Sequence, residues 1–107
     1  MNYNKVITPK QLKEQLDKNK DLFIIDLREN TSFLKPINSA VLIPFSQIID
    51  KIDTLPKDKK LIAYCSHGVD SFFLMNILLA DYGFSDIYSL KSGLEGWYKF
   101  IKERAVS

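Results

Sequence analysis

The chain has 107 residues, and its hydrophobic fraction of 46% and charged fraction of 26% are those of an ordinary globular protein. Its net charge is only +2 and its lysines are scattered, so we expect no binding to nucleic acid. No apolar run approaches the roughly 20 residues that span a bilayer, and the first residues lack the layout of a signal peptide. We therefore expect a soluble cytoplasmic protein with no membrane segment, forming one domain over residues 1–107.

The first half of the chain predicts one helix and two short strands. Thr8 and Gln11 form a capping-box pattern around Pro9, which indicates a helix that ends near Asp17. A short β-favouring apolar run over 22–26 predicts a strand buried on both faces. The run 41–44 predicts another strand, which its proline ends.

The second half continues the alternation of helices and strands. Ser46 is expected to cap a short helix, and residues 61–64 predict a third buried strand. A long helix is predicted over 71–82, a further strand over 86–89, and a last helix that includes residues 94–101. Short apolar strands that alternate with helices are typical of a parallel sheet covered on both faces, which is an α/β fold.

Cys65 is the only cysteine, and it directly follows the predicted strand 61–64. It cannot form an internal disulfide, which suits a reducing compartment and leaves the thiol free for chemistry. A tight loop that runs into a helix N-terminus favours the thiolate, the reactive form of cysteine. Because the carboxyl ends of parallel strands meet at one edge, Asp26, Arg28 and Lys91 are expected near Cys65.

Three motifs resemble those of single-domain rhodaneses. Their active-site loop has the pattern Cys-x-x-Gly-x-Arg-Ser, which is similar here to Cys65, Ser66, His67, Gly68, Val69, Asp70 and Ser71. Residues 26–29 are similar to the family's Asp-Val-Arg-Glu, and residues 90–97 are similar to its Leu-x-Gly-Gly-x-x-x-Trp. The resemblance covers nearly the whole chain, and it implies a three-layer domain with about five parallel strands and helices on both faces.

The resemblance also implies a sulfurtransferase that needs no cofactor. In rhodanese chemistry a cysteine thiolate takes sulfur from a donor, here thiosulfate or a persulfide, and becomes a persulfide itself. The sulfur then passes to a thiol or a cyanide-like acceptor, and a protein partner in a sulfur relay fits the same role. On this basis Cys65 is the catalytic residue, loop residues 66–71 bind the substrate, and Asp26, Arg28 and Lys91 support them.

Asp70 departs from the family pattern, because the family has an arginine at this position. A carboxylate beside the sulfur opposes ionisation of the thiol and repels thiosulfate, a dianion, unless its side chain turns away. We therefore expect a poor user of thiosulfate that takes sulfur from a less charged donor. A second departure affects the loop geometry, since residues 35–40 keep only Ile37 and Ala40 of the family's Gly-His-Ile-Pro-Gly-Ala.

Several residues near Cys65 allow two interpretations. His67 either supplies part of the missing positive charge or is an exposed loop residue without a role. Ser71 either contacts the sulfur or caps the following helix. Arg28 is expected to pair with a neighbouring carboxylate rather than with substrate, and Lys91 suits a solvated turn equally well. One cysteine and one histidine are too few ligands for zinc, so we expect no metal site.

Two other classes of protein are alternatives to a sulfurtransferase. A cysteine-dependent phosphatase needs an arginine six residues after its cysteine, and Ser71 stands there. A catalytically impaired rhodanese-like module for partner binding or redox sensing is favoured by the loss of the loop arginine. The retained Cys65, Gly68 and Ser71 oppose it, so the sequence favours the sulfurtransferase.

Overall fold

Five strands and four α-helices alternate along the chain in the computed structural model, which describes residues 2–106. The strands are β1 (Val6–Ile7), β2 (Leu22–Asp26), β3 (Val41–Leu42), β4 (Lys60–Tyr64) and β5 (Ile87–Leu90). The α-helices are α1 (Pro9–Asp17), α2 (Phe45–Ile48), α3 (Val69–Asp81) and α4 (Gly93–Val106). Two 3-10 segments, Tyr3–Lys5 and Ile49–Thr54, precede β1 and extend α2.

The strands pair in parallel in the order β1-β5-β4-β2-β3. The long central strands β2 and β4 are in a register that places Asp26 beside Tyr64, immediately before Cys65. One apolar cluster packs α2 and α3 on one face of the sheet, and a second packs α1 and α4 on the other. This arrangement confirms the predicted three-layer α/β fold with its five-stranded parallel sheet.

The two edge strands show where local sequence signals fail. The strand β1 has only two residues and was not predicted, because so short a run carries no periodic pattern. The predicted strand 41–44 is reduced to Val41 and Leu42, and both side chains are exposed at the sheet edge. The central strands match their predictions more closely, because helices cover both of their faces and their side chains are apolar.

The helix ends confirm one predicted cap and correct two others. Thr8 and Gln11 form the predicted capping box at the start of α1. The prediction that Ser46 caps α2 is wrong, since that helix begins at Phe45 with Pro44 in the cap position. Helix α3 begins before Ser71, so this serine lies inside the first turn and does not cap it.

None of the helices in the described part of the chain is long and apolar enough to cross a membrane.

Candidate active site

Cys65 lies immediately after β4, at the carboxyl edge of the sheet where the sequence predicted it. Its side chain is only 6% exposed and forms part of a cleft of about 370 Å³. The cleft is lined by residues from the β2 and β4 ends: Leu27, Arg28, Glu29, Asn30, Cys65, Ser66, His67, Val69 and Asp70. The sulfur is therefore buried at a cleft that a small molecule or a narrow side chain can enter.

Backbone amide groups surround the sulfur of Cys65. The N–H of Gly68 donates to Sγ at 3.2 Å, and the N–H of Ser71 donates at 3.4 Å. Gly68 has a φ of +96°, which turns the chain back over the sulfur and into α3. Two N–H dipoles at the start of a helix stabilise negative charge, so this loop suits a thiolate.

A pair of buried serines lies on the inner side of the sulfur. The Ser71 hydroxyl is 3.7 Å from Sγ of Cys65 and 2.7 Å from the hydroxyl of Ser89 on β5. Both serines are almost fully buried. The sulfur contact of Ser71 is one of the two roles predicted for it, whereas Ser89 was not predicted. A single polar residue in an otherwise apolar strand was the available signal.

The start of α4 fixes the loop from the other side. The N–H of Leu94 donates to the Cys65 carbonyl at 2.9 Å, and the N–H of Glu95 donates to the Ser66 carbonyl at 3.1 Å. Gly93 permits this approach, because a Cβ atom there would lie 2.5 Å from the Cys65 oxygen. Free amide groups at one helix start therefore hold the carbonyls of the loop that carries Cys65.

Arg28 is committed to Asp26 and does not offer its charge to the cleft. Its Nε and Nη2 donate to both carboxylate oxygens at 2.9–3.1 Å, and Nη1 donates to the Leu34 carbonyl. Tyr64 donates its hydroxyl to the same carboxylate at 2.8 Å and accepts from the N–H of Ile37. Burial, together with this bond to Asp26, raises the pKa of Tyr64. The network supports the loop beside the site. It agrees with the prediction that Arg28 pairs with a neighbouring carboxylate rather than with substrate.

The remaining charged groups make the cleft acidic. Asp70 lines it with an exposed side chain, and so does Glu29. Ser46 donates its backbone and side-chain hydrogens to the Glu29 carboxylate, which lowers the pKa of Glu29 and keeps it ionised. The ring of His67 contacts the carboxylate of Glu95 through Nε2.

Lys91 lies outside the set of residues that line the cleft. It is exposed and borders a neighbouring depression together with Lys10 and Lys99. Of the basic residues considered near Cys65, Arg28 and His67 contact carboxylates, and Lys91 borders a different depression. The site that emerges is an ionisable sulfur in an amide cradle with carboxylates at its entrance.

Comparison with known proteins places this geometry in a family context. Residues 8–100 match the family model of the rhodanese-like domain. The probable adenylyltransferase/sulfurtransferase MoeZ of Mycobacterium tuberculosis is 34% identical over 96 residues, which are 87% of this chain but only 24% of that protein. The thiosulfate sulfurtransferase GlpE of Coxiella burnetii is 30% identical over 84 residues, 78% of each chain. A crystal structure of a rhodanese-like domain protein from Staphylococcus aureus has a TM-score of 0.78 at 30% identity, and covers 87% of this chain and 90% of that chain.

Proposed function

Since this chain belongs to the rhodanese-like family, a family whose relatives include named sulfurtransferases, we propose that it carries sulfur as a persulfide on Cys65. The observation that carries the proposal is the pair of amide N–H groups, from Gly68 and Ser71, that donate to the Cys65 sulfur. Such a cradle stabilises a nucleophilic thiolate. A single free cysteine also suits a reducing compartment, and we propose the cytoplasm.

The transfer takes place in two displacements at sulfur. The Cys65 thiolate attacks the outer sulfur of the donor, a new S–S bond forms, and the donor's remainder leaves with the electron pair of the broken bond. An acceptor thiolate or cyanide then attacks the outer sulfur of the persulfide. Cys65 leaves as a thiolate, which the amides of Gly68 and Ser71 stabilise in both steps. No cofactor enters this sequence.

The charges of the cleft select among donors. Asp70 and Glu29 repel a dianion such as thiosulfate, and the guanidinium of Arg28 is neutralised by Asp26. A persulfide donor of low charge meets less repulsion than thiosulfate does. We therefore propose that thiosulfate is a weak donor and that a persulfide, free or carried by a partner protein, is the preferred one.

Mass spectrometry of the intact protein tests this function. Wild type and Cys65→Ser are incubated with thiosulfate or with cysteine persulfide, and the excess donor is removed. The mass of each protein is then measured before and after addition of cyanide. We expect wild type to gain one sulfur atom from cysteine persulfide and to lose it to cyanide. Cys65→Ser should gain none.

The second candidate is a catalytically impaired rhodanese-like module that binds a partner or senses redox state. The acidic side chain of Asp70, where the family carries arginine, favours it. If no donor adds sulfur to Cys65, this candidate replaces the sulfurtransferase.

A further inference from the structure

Helix α3 exposes apolar side chains on the face that points away from the core. Leu74, Met75 and Leu78 are fully buried against the sheet, as an amphipathic helix requires. Val69 and Phe73 nevertheless lie on the outer side, with 73% and 53% of their surface exposed. Because they are four residues apart, they share one face of the helix. Together they form an exposed apolar stripe that the core does not use.

The stripe begins at the entrance of the active-site cleft. Val69 is one of the residues that line the cleft with Cys65, and Phe73 follows one helical turn further out. Scattered exposed apolar residues are normal on a protein surface. A pair that extends outward from a reactive sulfur is instead placed where a second molecule must approach.

Two exposed carboxylates line the cleft beside the stripe. Asp70 directly follows Val69, and Glu29 also lines the cleft, where its carboxylate accepts two hydrogen bonds from Ser46. His67, which also lines the cleft, directs its ring at the carboxylate of Glu95. A partner that covers this surface therefore meets carboxylates beside apolar side chains, and complementarity requires basic groups on the partner.

We propose that Val69, Asp70 and Phe73 form a docking surface for a partner protein. The partner segment presents a thiol or persulfide sulfur to Cys65, places an apolar side chain on Val69 and Phe73, and places lysine or arginine beside Asp70. The proposal rests on the proposed function for the identity of the transferred group. Because Cys65 is only 6% exposed, a flat surface cannot reach its sulfur. The partner's sulfur must therefore lie on a protruding segment.

Peptide binding to Cys65→Ser tests the surface without involving the chemistry. One fluorescent synthetic peptide has a central cysteine with flanking leucines and lysines, and its counterpart has glutamates in place of the lysines. We expect the lysine peptide to bind at least about tenfold more tightly by fluorescence anisotropy, about 1.4 kcal/mol, and to weaken as salt is added.

The variants Phe73→Ser and Val69→Ser, each in the Cys65→Ser background, should each weaken binding of the lysine peptide severalfold. Tyr82→Ser in the same background is the matched control, because Tyr82 is a partly exposed aromatic residue at the far end of α3. It should leave the affinity unchanged. Equal binding of the two peptides, or no effect of either stripe variant, overturns the docking surface.

The outcomes separate the docking surface from the function. If the wild-type protein acquires a persulfide but the lysine peptide shows no preference, the docking surface fails and the sulfurtransferase stands. If the peptide binds through Phe73 but no persulfide forms, the docking surface stands and the function becomes that of a binding module. A homodimer that Phe73→Ser dissociates in sedimentation assigns the stripe to a second copy of this chain, and overturns the partner protein.

Discussion

Asp70 sets the electrostatic character of the cleft around Cys65. It lies in the first turn of α3, within three positions of Gly68 and Ser71, whose amides hold the sulfur. Its negative charge opposes both the thiolate and an anionic donor, whereas the amide dipoles favour them. We expect the balance between this exposed charge and the two fixed dipoles to decide which donors the proposed sulfurtransferase accepts.

Reversal of that charge is the direct test at this scale. Asp70→Arg should raise the kcat/KM for thiosulfate by about tenfold, because the charge changes by two units and each exposed charge contributes up to about 1 kcal/mol. The gain should shrink as salt is added. Thiosulfate turnover in a cyanide assay measures it.

The matched control is Asp81→Arg, which makes the same reversal at the last residue of α3. It should leave thiosulfate turnover unchanged. Equal gains from both variants would show that net charge, rather than the position of Asp70, limits the reaction. Unchanged or lower turnover in Asp70→Arg would contradict the electrostatic argument.

Residues close in sequence to Cys65 were the most predictable part of the site. The strand–loop–helix pattern placed Cys65 in a tight loop at the edge of the sheet, and the sequence predicted that Arg28 pairs with a neighbouring carboxylate, which is Asp26. Ser89 and Tyr64 escaped notice, because their partners lie 18 and 38 residues away and only the fold brings them together. Sequence patterns therefore predict contacts between residues that are close in the chain, but not contacts that depend on the fold.

At the scale of elements, the helix starts hold the site together. The start of α3 holds the sulfur, the start of α4 holds the Cys65 carbonyl, and the start of α2 receives the Glu29 carboxylate through Ser46. Each contact uses backbone N–H groups that a helix leaves unpaired in its first turn. Ser46 and Ser71, which the sequence offered as caps, take part through their own N–H groups from inside the helices, because a serine pattern does not show where the neighbouring loops pass.

Gly93 is the tightest of these junctions. An alanine there must adopt a φ of +61° and places its Cβ 2.5 Å from the Cys65 carbonyl. We expect Gly93→Ala to lower the free energy of unfolding by about 1 kcal/mol through backbone strain and by a further 1–3 kcal/mol through the clash. Urea denaturation measures the total loss of unfolding free energy.

Gly83→Ala is the matched control, since Gly83 also has a positive φ, +74°, but its nearest neighbour is the flexible end of Lys57 at 3.5 Å. It should show the strain without the clash. Equal losses in the two variants would mean that the packing of α4 on the loop adds nothing.

The Glu29–Ser46 contact makes the stability of α2 depend on pH. Its two hydrogen bonds lower the pKa of Glu29 below 4.5, so the contact stabilises the fold above that value and is lost as pH falls through the lowered one. Glu29→Gln should therefore reduce the thermal midpoint at neutral pH, and the difference from wild type should shrink below about pH 4. Thermal unfolding over a pH series measures this.

Glu14→Gln, a neutralisation on the exposed side of α1, serves as its control. It should lack that pH dependence. A difference between Glu29→Gln and wild type that stays constant down to strong acid would contradict the linkage.

For the whole molecule, the overall fold was far more predictable than its boundaries. Buried apolar runs alternating with helices specify a parallel sheet covered on both faces, because only that arrangement buries most of β2 and β4. Net charge predicted nothing about the cleft. The chain carries +2 overall, yet carboxylates surround the entrance to Cys65. The composition gives one net charge for the whole chain, whereas the fold places charged side chains of each sign in different parts of the surface.

The network of Tyr64, Asp26 and Arg28 lies at the centre of that fold and joins both long strands to the loop beside the cleft. Tyr64→Phe leaves a buried carboxylate oxygen and the N–H of Ile37 each with one partner fewer. We expect the free energy of unfolding to fall by about 1–3 kcal/mol, with an unchanged denaturant slope. Urea denaturation of wild type and variant tests it.

Tyr82→Phe removes an exposed hydroxyl and should change stability by less than about 0.5 kcal/mol. A loss as large as that of Tyr64→Phe would indicate a general effect of tyrosine removal. No loss in Tyr64→Phe would mean that the carboxylate and the amide find other partners.

The outermost strands of the sheet have only two residues each, β1 on one side and β3 on the other. A foreign strand that approached either margin would find too few free backbone groups to build a ladder. Val41 and Leu42 are exposed there, and in a longer strand they would invite amyloid-like stacking. Because β1 and β3 are so short, they disfavour edge-to-edge association of the sheet without a helix or a proline to cover them.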